Sequence, residues 1–177
     1  MAVNDFRTVR ISHQNQAAML ARVLEDQATR TMQTAELALE SLATSPALTA
    51  VASEPRRMQD ALGQALAALS FLRGLAVVDP GGRVIASTTP GDAESFVDLA
   101  QLGPPVAVGR TVQGGLTPGR SLRSVRLGGK AVAAPAGVAF IPVMHGYKTE
   151  AGQVLVLVAL VNPDSLSNFQ HLSLIHI

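Results

Sequence analysis

The chain carries its apolar residues in two rhythms. From Asp5 to Thr44 there is neither Gly nor Pro, and Leu20, Leu24, Ala28, Thr31, Ala35, Leu39 and Leu42 recur at steps of three and four. That spacing puts side chains on one face of an α-helix. About forty residues rising 1.5 Å each make a rod of about 60 Å, longer than the ~40 Å width expected of a compact chain this size. The first half, whose surface carries Arg10, His13, Gln14 and Gln16, is therefore expected to project as a stalk suited to solvent or a partner helix. Ser45-Pro46 breaks the pattern. Glu54-Pro55 then opens a second helix over Arg56 to Leu69, with Met58, Leu62, Leu66 and Leu69 on one face.

From Phe71 the rhythm changes. In FLRGLAVVDPGGRVIAS, Phe71 to Ser87, apolar residues flank Asp79-Pro80-Gly81-Gly82. Pro sets φ and Gly admits φ > 0, so the stretch predicts two short strands joined in a hairpin. Thr88 to Gly91 reads as a turn. Asp92 to Leu102 has helical spacing (Phe96, Leu99, Ala100) and is ended by Gly103-Pro104-Pro105. Val106 to Val112 is expected to be a third strand. Residues 113–137, punctuated by Gly and Pro, form a long loop with at most one short strand around Leu122 to Leu127. Val138 to Met144 is a strand in which Pro142 requires an edge or a bulge, and His145 to Gly152 turns the chain. Val154 to Val161 has no polar face, as for a central strand covered on both sides, flanked by the Val138 to Met144 strand and one hairpin strand. Asn162-Pro163 then opens a helix expected to reach His171.

With 177 residues the chain suits one well-buried domain. Its net charge of +1 provides no field to recruit nucleic acid, and 3% aromatic content removes stacking platforms for single strands. Cysteine is absent, which excludes disulfides and thiolate metal sites without choosing a compartment. The longest apolar run, Val154 to Val161, is far short of the ~20 residues that cross a bilayer. Leu172 to Ile177 (LSLIHI) matches the translation of CTG TCT CTT ATA CAC ATC, a sequencing-library adapter. These residues are set apart from the fold, and the natural protein is expected to continue past His171.

The order helix, hairpin, helix and antiparallel strands, with the words FLRGLAVVDPGGRVIAS, VAFIPVM and VLVLVALVNPDSLSNF, resembles the PAS-like Cache sensor domains of bacterial membrane receptors. The likeness covers roughly residues 5–170. It implies an α+β fold in which a long N-terminal helix (1–44, the stalk) packs on a mostly antiparallel sheet within residues 45–171, the first of two subdomains. It further implies a periplasmic segment of an inner-membrane receptor, held by spans outside this chain and paired as a homodimer through the N-terminal helix. The implied output, also outside the chain, is a histidine kinase or a diguanylate cyclase. The Tyr and Arg cluster with a later Asp that marks the amino-acid-binding Cache subgroup is not visible here.

No catalytic or metal-binding constellation emerges. His13, His145, His171 and His176 have no carboxylate or second histidine at ligand spacing, and Ser87, Ser95 and Ser121 have no nucleophile-elbow context. The glycine pairs are turns rather than phosphate cradles, and no cofactor is implied. The best site candidate is the basic loop: Arg110, Arg120 and Arg123 offer bidentate geometry for a carboxylate or phosphate, with His145 and Tyr147 adding hydrogen bonds at a pocket mouth. The expected ligand is a small anion held between the loop and the sheet. Competing explanations are a solvated loop, a structural dimerisation module without ligand, and a small soluble enzyme, which would need a polar cluster of strongly shifted pKa in an apolar pocket.

Overall fold

A computed structural model describes residues 3–50, 54–128 and 134–167, with side chains from Arg10 onward. Residues 34–163 form one compact unit that holds every strand; the described parts of 3–33 and 164–167 belong to a second. Helix α1 runs unbroken from Val3 to Ala43. Its buried positions Met32, Ala35, Leu39 and Ala43 continue the stripe read from the sequence, whereas residues 10–23 are exposed. Ser45 precedes the short α2 (Pro46–Thr49), and Glu54 precedes α3 (Pro55–Ala68); both helices begin on proline, which has no amide hydrogen to leave unsatisfied.

The sheet comprises β1 (Leu72–Val78), β2 (Val84–Ser87), β3 (Thr111–Gln113), β4 (Thr117–Pro118), β5 (Ala139–Lys148) and β6 (Val154–Val161). All pairings are antiparallel in the order β2-β1-β6-β5-β3, with β4 also on β5. The expected centre is therefore the observed one: β6 lies between the hairpin strand β1 and β5. Cross-strand partners share a face. Val77, Leu157 and His145 are in register on one face, and Ala76, Val158 and Met144 on the other. The first face lies beneath α3, which packs on β1 and β2, and the C-terminal part of α1. The second carries a core of Val78, Val84, Val97, Leu102, Leu122 and Phe140.

The β1–β2 turn explains one glycine. Asp79 accepts the amides of Gly82 and, through Oδ1, Arg83, each at 2.9 Å. Gly82 has φ +90°, and its carbonyl accepts the Val97 N–H at 2.8 Å, with the Val97 backbone where a Cβ would stand. Both the left-handed backbone and the close approach exclude a side chain. Gly82→Ala should therefore lower stability by about 2 kcal/mol or more, measured by urea unfolding; an unchanged midpoint would mean the turn relaxes freely.

Four expectations are corrected. The helix expected over Asp92 to Leu102 is reduced to α4 (Leu99–Leu102), with Asp98 accepting the Ala100 amide at 3.1 Å. Upstream, the Val84 amide of β2 donates to the Ser95 carbonyl and the Glu94 amide donates to the Val84 carbonyl, each at 2.8 Å, and Phe96 and Val97 form bridges to Arg83 and Arg126. Competing extended pairing overrides the local helical spacing. Of Val106 to Val112, only Thr111 onward is strand, because the chain turns at Gly109, closed by Arg110 N–H to Ala107 O at 3.1 Å. Leu122–Val125 is a 3-10 turn rather than a strand; the short strand of that loop is β4. Finally, β5 does not stop at Met144 but continues to Lys148, and the turn begins at Thr149, whose N–H bonds to Gln153 O at 2.9 Å. Pro142, expected at an edge or bulge, lies on β5 between the segments paired with β3 and β4, and its carbonyl accepts the Gly114 amide at 2.8 Å. After β6, α5 (Asp164–Ser167) begins just beyond Pro163. The expected continuation to His171 and the Leu172 to Ile177 segment lie outside the described residues, as does Lys130 of the basic loop.

Candidate functional site

The five residues proposed from sequence do not converge. His145 and Tyr147 are strand residues, not turn residues, and both are buried. By the alternation of β5 they point to the helix-covered face, with Val143 and Ile141, whereas Phe140 and Met144 point to the opposite face. Arg110 and Arg120 are exposed. The Arg110 carbonyl accepts the Gly146 amide at 3.1 Å, which fixes its backbone beside β5. Arg120 borders a hollow of about 260 Å³ that it shares with Ser121, Arg123 and Ser124.

Arg123 already has partners. Its Nε donates to Asp92 Oδ1 at 3.2 Å and its Nη2 to the Pro90 carbonyl at 2.6 Å. Asp92 is 1% exposed, and burial pushes its carboxyl above the ordinary 3.8, an effect offset in part by Arg123, Arg126 and Ser87. The guanidinium thus ties the 90–95 turn to the 3-10 turn and gives a buried carboxylate its cation. A sequence reader sees Arg123 as a free cation because Asp92 lies 31 positions away.

On the helix-covered face, His145 Nδ1 is 2.8 Å from Thr111 Oγ1, a link from β5 to the edge strand β3. Burial lowers the His145 pKa below its ordinary 6.5, opposed by the charge of Glu40 on α1. Burial likewise raises the Tyr147 hydroxyl far above its ordinary 10, and that oxygen has no hydrogen-bond partner among the described residues. Because the folded state disfavours the imidazolium, protonation favours the unfolded chain. Stability attributable to His145 is present above pH 6.5 and is lost as pH falls from 6.5 through the lowered folded value. Thermal unfolding of the wild type should therefore fall over this range more steeply than that of His145→Gln; parallel curves would mean that His145 titrates normally.

The other face holds a feature that the sequence did not reveal, a cavity of about 320 Å³. Met144, Val154 and Val156 form its floor on β5 and β6; Pro80, Pro104 and Pro105 form walls; Leu99, Ala100 and Val106 complete the rim. None of these side chains carries a charge or a hydrogen-bonding group. Met144 is 1% and Val156 6% exposed, so the floor belongs to the core. The walls and rim come from two separate segments, the Pro80 turn and residues 99–106, and no local motif marks them. Among the described residues there is no cluster of His, Cys, Asp or Glu able to hold a metal, and no helix long and apolar enough to cross a membrane.

Neither a protein-family model nor a curated protein sequence matches the chain. Among solved structures it is similar to the extracellular domain of the "putative histidine kinase rpHK1S-Z16", at 17% identity and a TM-score of 0.55. The match covers 86% of this chain and 58% of that one, so the chain spans little more than half the length of that solved domain. The two share a fold: α+β, with a long N-terminal helix and an antiparallel sheet of six strands.

Proposed function

We propose that this chain is the sensing domain, PAS-like and of Cache type, of a membrane-bound receptor with a histidine kinase output. The segment is extracytoplasmic, anchored in the inner membrane by spans outside the given sequence. The observation that carries this reading is the fold shared with an extracellular receptor domain, in which one long helix precedes the sheet. The solved neighbour favours a kinase over a diguanylate cyclase as output. Its greater length agrees with the sheet unit being one of two subdomains. The apolar cavity gives a small ligand a place to bind, which favours a sensor over a ligand-free structural module.

Sensing follows from differential affinity. A ligand that prefers one packing of the sheet against α1 shifts the equilibrium between packings, and an unbroken helix carries the displacement along its length. Two helices side by side would pass it on. Exposed Met19, Leu20 and Val23 lie within about 100° of arc on α1 and supply an apolar seam for a second copy of this chain.

The native lack of cysteine gives a direct test. In the receptor expressed from its complete gene, freed of other cysteines, Glu150→Cys in the exposed β5–β6 turn should react with a membrane-impermeant maleimide on intact spheroplasts. Met19→Cys should form a disulfide-linked dimer on mild oxidation. Labelling of Glu150→Cys only after lysis contradicts the extracytoplasmic assignment, and a Met19→Cys chain that stays monomeric contradicts the paired helix.

A further inference from the structure

We infer that the cavity over β5 and β6 binds an uncharged, predominantly apolar small molecule of roughly ten to fifteen non-hydrogen atoms, rather than the anion that the arginine-rich loop suggests. This rests on the sensor reading and names the ligand class of that domain. Three observations carry it. The first is size: the cavity is about 320 Å³, about twice the ~150 Å³ apolar cavity that accepts benzene, so a fused pair of rings or a branched hydrocarbon fits.

The second is chemistry. Every lining side chain is apolar, and Met144 supplies a polarizable, adaptable surface at the floor. A carboxylate placed there would lose its hydration and meet no cation. Arg123 is committed to buried Asp92 and the Pro90 carbonyl, and neither it nor Arg110 or Arg120 lines the cavity. The charge that would hold an anion is therefore elsewhere.

The third is rigidity. Pro80, Pro104 and Pro105 hold fixed φ in the walls, and α4 is pinned from below by the Asp98 amide bonded to the Val125 carbonyl at 2.9 Å. The Pro80 turn is held by the Asp79 bonds and by Val97 on Gly82. A preformed wall spares a ligand the ordering of loops, which is what allows a small apolar molecule with few directional contacts to bind.

Naphthalene and 2-naphthoate make a matched pair of probes, identical in ring system and different only in the carboxylate. The chain has no tryptophan and one tyrosine, so naphthalene fluorescence reads binding to the purified chain without tryptophan background. Naphthalene should bind saturably, and 2-naphthoate at least tenfold more weakly. Ala100→Phe, which fills the rim from an exposed position on α4, should weaken naphthalene at least tenfold. Val154→Asp, at the first residue of β6, should do so by charge if the bulkier variant does not fold. Leu116→Ser, which removes an exposed apolar side chain outside the cavity, should leave binding unchanged.

Equal affinity for the two probes, binding that survives both cavity substitutions, or no saturable naphthalene binding overturns the assignment. Such a failure is separable from failure of the sensor reading, which is judged by maleimide labelling and helix cross-linking. A domain that passes those and rejects naphthalene is a sensor for another ligand.

Discussion

Leu157→Lys should abolish folding of the sheet unit. Leu157 is fully buried at the centre of β6, paired with Val77 on one side and His145 on the other. Truncation alone, Leu157→Ala, should cost about 2–5 kcal/mol, a large part of the 5–15 kcal/mol by which a domain is stable. The lysine is worse because its ammonium has no buried anion to meet. Its cross-strand neighbour on the same face is His145, already disfavoured from becoming charged. A strand with no polar face offers no partner to an ion at 157. The register refines this, because an aspartate there would face an imidazole and should be less damaging than lysine. Circular dichroism and urea titration of the three variants check the order, and a cooperatively folded Leu157→Lys protein would contradict the central position of β6.

Arg123→Ala should destabilise by about 1–3 kcal/mol near neutral pH. Separating a buried ion pair typically costs 3–5 kcal/mol because the remaining charge is stranded. Here Asp92 is buried but the Arg123 side chain is 50% exposed, so solvent screening reduces the loss. The sign with pH is definite. Arg123 favours the ionised carboxylate, so its contribution is present above the Asp92 pKa and shrinks as acid protonates that group. Removing the guanidinium raises that pKa further, and wild type and variant should converge in acid. Asp92→Asn combined with Arg123→Ala should show strong coupling. A constant difference between wild type and Arg123→Ala at all pH values would mean that the side chain contributes packing alone. Loss of ligand binding in Arg123→Ala would therefore not identify a ligand contact until stability has been matched.

What the sequence made legible were features that a single segment determines. A run without Gly or Pro and with helical spacing gave α1; Asp-Pro-Gly-Gly between apolar flanks gave the β1–β2 hairpin; a strand without a polar face could only be central. What it concealed depends on contacts between distant segments. His145 to Gly152, which contains Gly146, reads as a turn, so β5 is expected to end at Met144. Gly146 is in fact a strand residue whose missing side chain admits the backbone of Ala107, where a Cβ would stand. That extension of β5 makes His145 and Tyr147 strand residues on the helix-covered face, where both border a hollow beside Val108, Gly109 and Thr149. Phe96, Leu99 and Ala100 had helical spacing, but Phe96 is exposed and Val97 is the buried residue, because this stretch pairs with the β1–β2 turn. The Asp92 and Arg123 pair and the proline-walled cavity likewise form only when the 79–106 and 121–126 segments fold over the sheet.

The central claim, that this domain senses a ligand and passes the signal along α1, is tested most directly by a receptor chimera. The chain replaces the periplasmic domain of a histidine kinase whose autophosphorylation can be measured in membrane vesicles. Addition of a ligand that binds the isolated domain should change autophosphorylation, and a Gly-Gly insertion near Leu24 of α1 should abolish the response while leaving ligand affinity unchanged. A chimera that binds the ligand with no change in kinase activity, or one that responds equally with the helix interrupted, would contradict the account.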